Sequence, residues 1–194
     1  QRRGRQATKT VQVGSRQVKV LDYDDNTKYL GRKRCFNDYH ATELDNRIAT
    51  AWRKFNALRD ELTNKRYYLQ SRIRLFDSTI TPTILYGCAS WTTTKATTTK
   101  LRTAQRRMLR LIIGSTRRQT TSSTIADATT TTTSVNTTNA TTSLEPWVDY
   151  IKRATAIAEA QLQKLHIDDW PTTYLRRKWR WAARVATHPH DRWT

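Results

Sequence analysis

The densest chemical pattern in this chain is cationic. Arg102, Arg106 and Arg110 recur every fourth residue, with Arg107 beside them and Arg117 and Arg118 just beyond. On a helix that spacing lines one edge with guanidinium groups at roughly 6 Å intervals, comparable to phosphate spacing along a nucleic-acid strand. A second basic block, Arg176, Arg177, Arg180 and Arg184, is threaded with Trp179 and Trp181. Arginines in such a block can hold phosphates while an indole, here Trp179, stacks on a base. The alternative for this second block is that the tryptophans are core and the arginines merely solvated. Trp179 and Trp181 are two residues apart, about 200° around a helix, so one is expected to pack and the other to stay exposed or meet an interface.

Other candidate chemistry is sparse. In Tyr23-Asp24-Asp25 the two carboxylates could hold two Mg²⁺ about 4 Å apart for in-line phosphoryl transfer. His188-Pro189-His190 with Asp191 reads as a C-terminal turn rather than a metal site, and Cys35 with His40 is weaker still. Cys35 and Cys88 are the two cysteines, without CxxC spacing, and read as reduced core thiols. No Ser/His/Asp set can be assembled, and five glycines leave no Gly-rich phosphate loop. No catalytic, cofactor-binding or metal-ligating residue is therefore expected.

Composition points the same way. Thirty-five Lys and Arg against 16 Asp and Glu give a net charge of +19, which opposes compaction and calls for a polyanionic partner, usually nucleic acid. At 37% hydrophobic residues and a mean hydropathy of −0.79, 194 residues can build a real but modest core. The longest apolar run, Ile80 to Trp91, is too short to span a bilayer, and no signal peptide is visible behind the basic residues 1–9. An intracellular location is the expectation. The chain begins at Gln1 and stops at Thr194 like a piece of something longer.

The elements that must carry these residues are mainly α-helical. Residues 1–36 read as a basic arm and a β-hairpin: Val11 to Val13 and Val18 to Leu21 alternate around Gly14-Ser15, and Lys28 to Leu30 could add a third strand. Residues 37–118 read as a helical bundle. Leu44, Ile48, Trp52, Phe55, Leu58 and Leu62 form one helical face with Asp38 as N-cap, and Arg47, Lys54 and Arg59 face elsewhere. Leu69, Ile73, Phe76 and Ile80 repeat the pattern, and Pro82 marks a break or the start of a short helix through Gly87. The next helix runs from about Thr99 to Ile113 and ends at Gly114. In residues 119–143 twelve of 25 are Thr, which suits a flexible linker. Residues 144–194 read as a basic, Trp-rich helical pair: Pro146 to about His166, then a helix opened by Pro171.

Six blocks in order add a resemblance: Lys28-Tyr29-Leu30-Gly31, then Arg47 to Leu62, Arg74 to Gly87, Leu101 to Gly114, Trp147 to Ala160, and Arg176 to Ala186. Over residues 10–193 the chain resembles the region after the polymerase core in reverse transcriptases of non-LTR (LINE-type) retrotransposons. The resemblance implies a thumb-like element gripping a template–primer duplex, RNA or RNA–DNA, through phosphates, with the Arg47–Arg59 helix as the opposing surface. It also implies that the family's catalytic Asp pair lies upstream of residue 1. Tyr23-Asp24-Asp25 is not that pair: the family motif has a residue between aromatic and Asp pair, the spacing to Tyr29-Leu30-Gly31 is too short, and a third Asp is missing. A turn is the expected structure there. A second possibility stays open, a domesticated fragment serving as a non-catalytic subunit of a large protein or ribonucleoprotein assembly.

Overall fold

The computed structural model describes residues 10–22, 25–36, 38–92, 94–121 and 142–187. The basic arm 1–9, the pair Tyr23-Asp24, most of the Thr-rich segment (122–141) and the His188-Pro189-His190 turn lie outside the described residues.

The fold is mainly α-helical, with paired strands at its N-terminal end, as the residue pattern predicts. Strands β1 (Thr10–Val13) and β2 (Arg16–Lys19) pair antiparallel around Gly14-Ser15, with Gly14 at φ +60° in the first central position of a two-residue turn. The expected third strand forms as β3 (Thr27–Tyr29), but it pairs with β4 (Arg32–Arg34) in a separate hairpin. Leu30 and Gly31 make its turn with φ +47° and +75°, so Leu30 sits in the left-handed region that side chains avoid. The turn expected ahead of this hairpin is marked by Asp25, whose N–H donates to the Asp22 carbonyl at 2.9 Å.

The helix expected from Asp38 to Leu62 is two helices. α1 (Tyr39–Ala57) is capped by Asp38, whose carboxylate accepts from the Ala41 N–H at 3.2 Å. Leu58 leaves helical geometry, its N–H shared between the carbonyls of Lys54 and Phe55, and α2 (Arg59–Thr63) follows as a separate short helix that buries Leu62. No proline or glycine marks that break. α3 (Leu69–Ile84) corrects the sequence reading in the opposite sense, because it runs straight through Pro82. Proline there removes one N–H, so the Ser78 carbonyl loses its helical partner. Both residues face solvent, where water replaces the bond. Gly87 then turns the chain at φ +67° into a short 3-10 segment, Cys88–Ser90, rather than a further α-helix.

α4 (Lys95–Ile113) begins earlier than expected, at a Thr94 side chain that accepts from the Thr97 N–H, and ends as predicted at left-handed Gly114. Strands β5 (Gln119–Thr121) and β6 (Thr142–Leu144) pair and pinch the Thr-rich segment at its base. α5 (Trp147–Lys164) and α6 (Trp170–Ala186) follow, α6 capped by Asp169 through the Thr172 N–H at 2.9 Å.

One core joins these helices. Phe55 of α1, Ile73, Phe76, Ile80 and Ile84 of α3, and Leu101, Met108, Leu109 and Ile112 of α4 pack with Trp170 and Tyr174 of α6. Each fully buried large side chain contributes about 1.5–3 kcal/mol. Trp170 also fixes the orientation: its ring stacks on Phe76 at 5.6 Å, its Nε1–H donates to Thr81 Oγ1 and its backbone N–H to Gln105 Oε1, both at 2.8 Å. Buried Thr81 and Gln105 are thereby satisfied.

Candidate nucleic-acid interface

The structure sorts the basic residues into those already engaged within the fold and those left to solvent. The α4 stripe belongs to the first group. Arg106 is ion-paired with Glu159 of α5, Arg110 Nη1–H donates to Thr155 Oγ1 at 3.1 Å, and Arg102 lies 3.6 Å from Asp169 at the start of α6. These pairs are water-exposed, so each is worth only about 0.2–1 kcal/mol and weakens in salt. Arg107 points away from this seam and covers the Trp52 ring at 5.4 Å.

Arg117 and Arg118 build a clamp at the base of the β5–β6 pair. Arg117 donates through Nε and Nη2 to the Glu145 carbonyl, and the Arg118 N–H donates to the Glu145 carboxylate at 3.1 Å. Arg153 of α5 closes the clamp with a two-pronged contact, Nε to Oε1 at 3.0 Å and Nη2 to Oε2 at 2.7 Å. The Arg153 guanidinium, then the Arg118 N–H, hold the Glu145 carboxyl well below the usual carboxylate range, at about 2.

In α6 the arginines divide along the helix. Arg176 pairs with Asp168 and Arg177 reaches the Leu85 carbonyl, both beside the bundle. Further along, Arg180 and Arg184 are exposed and, among the described residues, meet no carboxylate. Trp179 and Trp181 flank them with 72% and 55% of their surface open. This overturns the expectation that one tryptophan packs. The face that buries Trp170 and Tyr174 does continue to Trp181 and Val185, at successive spacings of four, seven and four residues, but there it is exposed among the described residues.

A further basic surface escaped the residue-by-residue reading. Between the β3–β4 hairpin and α1 lies a groove of about 440 Å³ lined by Lys28, Gly31, Asn46, Arg47, Thr50, Arg53, Lys54 and Thr83, with no acidic residue among them. Its walls are held by fully buried Glu43, which accepts from Arg47 Nε at 2.6 Å and from the Lys33 N–H. Arg47 also donates to the Gly31 carbonyl and stacks over Tyr86, whose hydroxyl donates to the Leu30 carbonyl at 3.3 Å. The turn 85–87 thus touches the hairpin through Tyr86 and the middle of α6 through Arg177. The signal in the sequence was the Arg47–Arg59 face. What hid the groove was its other wall, a hairpin with almost no apolar content.

Among the described residues no helix is long and apolar enough to cross a membrane. No family model and no solved structure matches the chain. An uncharacterized transposon-derived protein of Caenorhabditis elegans is 32% identical to it over 97 residues, a match taking in 48% of this chain and 33% of that protein. The chain therefore spans about a third of the length of the curated relative it matches, and its similarity is to a protein of transposon derivation.

Proposed function

We propose that this chain is a transposon-derived segment that binds nucleic acid through phosphates, in the manner its likeness to the thumb of a retrotransposon reverse transcriptase implies, and that it supplies grip rather than chemistry. The observation that carries this reading is the free end of α6. From Trp170 to Thr187 there is no acidic residue, and Arg180 and Arg184 project beside two open indoles. Cations one turn apart neutralise successive phosphates, and exposed rings accept bases without regard to sequence. The acid-free groove beside the hairpin offers a second run of phosphate contacts, and the net charge of +19 draws the polyanion in.

The test is binding of a generic RNA–DNA duplex across about 50–200 mM salt, where phosphate contacts weaken steeply. Reversing Arg180 and Arg184 to Glu should lower affinity and flatten the slope of log K against log salt by about 2, with helicity unchanged by circular dichroism. Unchanged affinity and slope would remove α6 from the interface. The second reading, a non-catalytic subunit of a larger assembly, draws on the same helix: Trp181 and Val185 form an apolar strip that a protein surface would cover. Absence of nucleic-acid affinity at low salt, with a salt-insensitive protein partner, would favour it.

A further inference from the structure

We propose that α5 is an intramolecular competitor for the arginine edge of α4, occupying with Glu159, Thr155 and the neighbouring Asp169 the places that phosphates of a polyanion would take. This rests on the nucleic-acid reading above and adds a regulation to it. α5 runs antiparallel to α4 so that Thr155 meets Arg110 and Glu159, one turn on, meets Arg106. Asp169 completes the row at Arg102. Three guanidinium groups spaced for a phosphate strand are thus met by two carboxylates and one hydroxyl, which leaves the edge undercharged by one.

The contact is built to be exchanged. Both ion pairs stand in water, with side chains 39% and 45% open at Arg106–Glu159 and 47% and 32% open at Arg102–Asp169. A polyanion presenting several phosphates in a row offers each of the three arginines a full negative charge, where the fold offers two carboxylates and a hydroxyl. The apolar part of the seam is small: α5 buries Ala154, Ala158 and Leu162, while Trp147 and Val148 stay exposed. The two ends differ. Residues 145–153 are tied to 115–118 by the Glu145–Arg153 clamp and by the Tyr150 hydroxyl, which donates to the Ser115 carbonyl at 3.0 Å. The half carrying Thr155 and Glu159 is held instead by Ala158 and Leu162 against the core, with Glu159 and Thr155 as its polar contacts to α4, so losing those two contacts loosens this half first.

Hydrogen exchange of the whole chain with saturating polyuridylate at low salt tests this. Amides of 155–164 should lose protection while those of 147–153 keep it. Glu159→Gln should raise polyuridylate affinity about threefold above Glu61→Gln, a variant with the same charge change on α2. Binding of polyuridylate with 155–164 unchanged or more protected, or equal affinities for the two variants, would overturn the competitor while leaving the nucleic-acid reading intact. No binding by the natural chain but binding by Glu159→Gln would support the competitor in its strongest form. No binding by either would bring down both.

Discussion

Arg72 carries a guanidinium into the core beneath α4. It donates to three backbone carbonyls, Tyr67 at 3.2 Å, Leu62 at 3.2 Å and Ile112, and burial lowers its pKa from the usual arginine value. The side chain thus binds the end of α2, the loop before α3 and the last turn of α4 into one joint. Replacing Arg72 with Met would keep much of the volume and remove every donor, leaving those carbonyls without this partner. The expected cost is about 3 kcal/mol in urea unfolding, and a loss below about 1 kcal/mol would mean water reaches the joint. Arg72 and Glu43 show where reading by residue type stops. Both are ionisable residues on helices that look amphipathic, and each would ordinarily be assigned to the solvent side. Their burial follows from partners that residue type does not reveal: the Ile112 carbonyl, 40 residues away, for Arg72, and the Lys33 N–H of the hairpin with Arg47 for Glu43.

The Glu145 clamp belongs to the scale of the element, because it decides whether β5–β6 and the start of α5 stay together. With its carboxyl at about 2 in the folded chain, against an ordinary value of 4.5, Glu145 binds a proton more readily once released. The clamp therefore contributes fully above about pH 4.5 and is lost as pH falls toward 2. Protection of the Arg118 and Glu145 amides, relative to their intrinsic exchange at each pH, should fall across that window, and in Glu145→Gln the loss with acid should vanish because protection is already low at neutral pH. The helices α4, α5 and α6 were legible in outline from their apolar spacing, Pro146, Pro171 and Gly114. The break at Leu58 and the continuation through Pro82 were not, since exposure of Ser78 and Pro82 makes the lost bond cheap and the break at Leu58 goes with burial of Leu62 in the core.

At the scale of the whole molecule the question is whether α5 and α6 are an appendage or part of the bundle's core. Trp170 and Tyr174 fill the space between α3, α4 and the 3-10 segment, and the Tyr174 hydroxyl donates to the Trp91 carbonyl at 3.1 Å. Trp170→Ala should then cost about 3–5 kcal/mol and lower the stability of the bundle with that of α6. Helical circular dichroism and tryptophan fluorescence should still report one shared transition; two separated transitions would show that residues 144–187 unfold on their own.

By itself the sequence determined the mainly helical class, most of the faces that build the core, the Asp38 and Gly114 caps and the cationic excess, because each depends on spacing within a turn or two or on composition. Tertiary structure alone decided which cations remain available. Arg106 finds its carboxylate 53 residues away, Arg117 and Arg118 are committed to Glu145, and Arg180 and Arg184 are left open because α6 outruns the bundle. A helical period shows which side chains share a face, but the occupant of that face comes from elsewhere in the chain, and the reach of one helix over another is set by where the core ends.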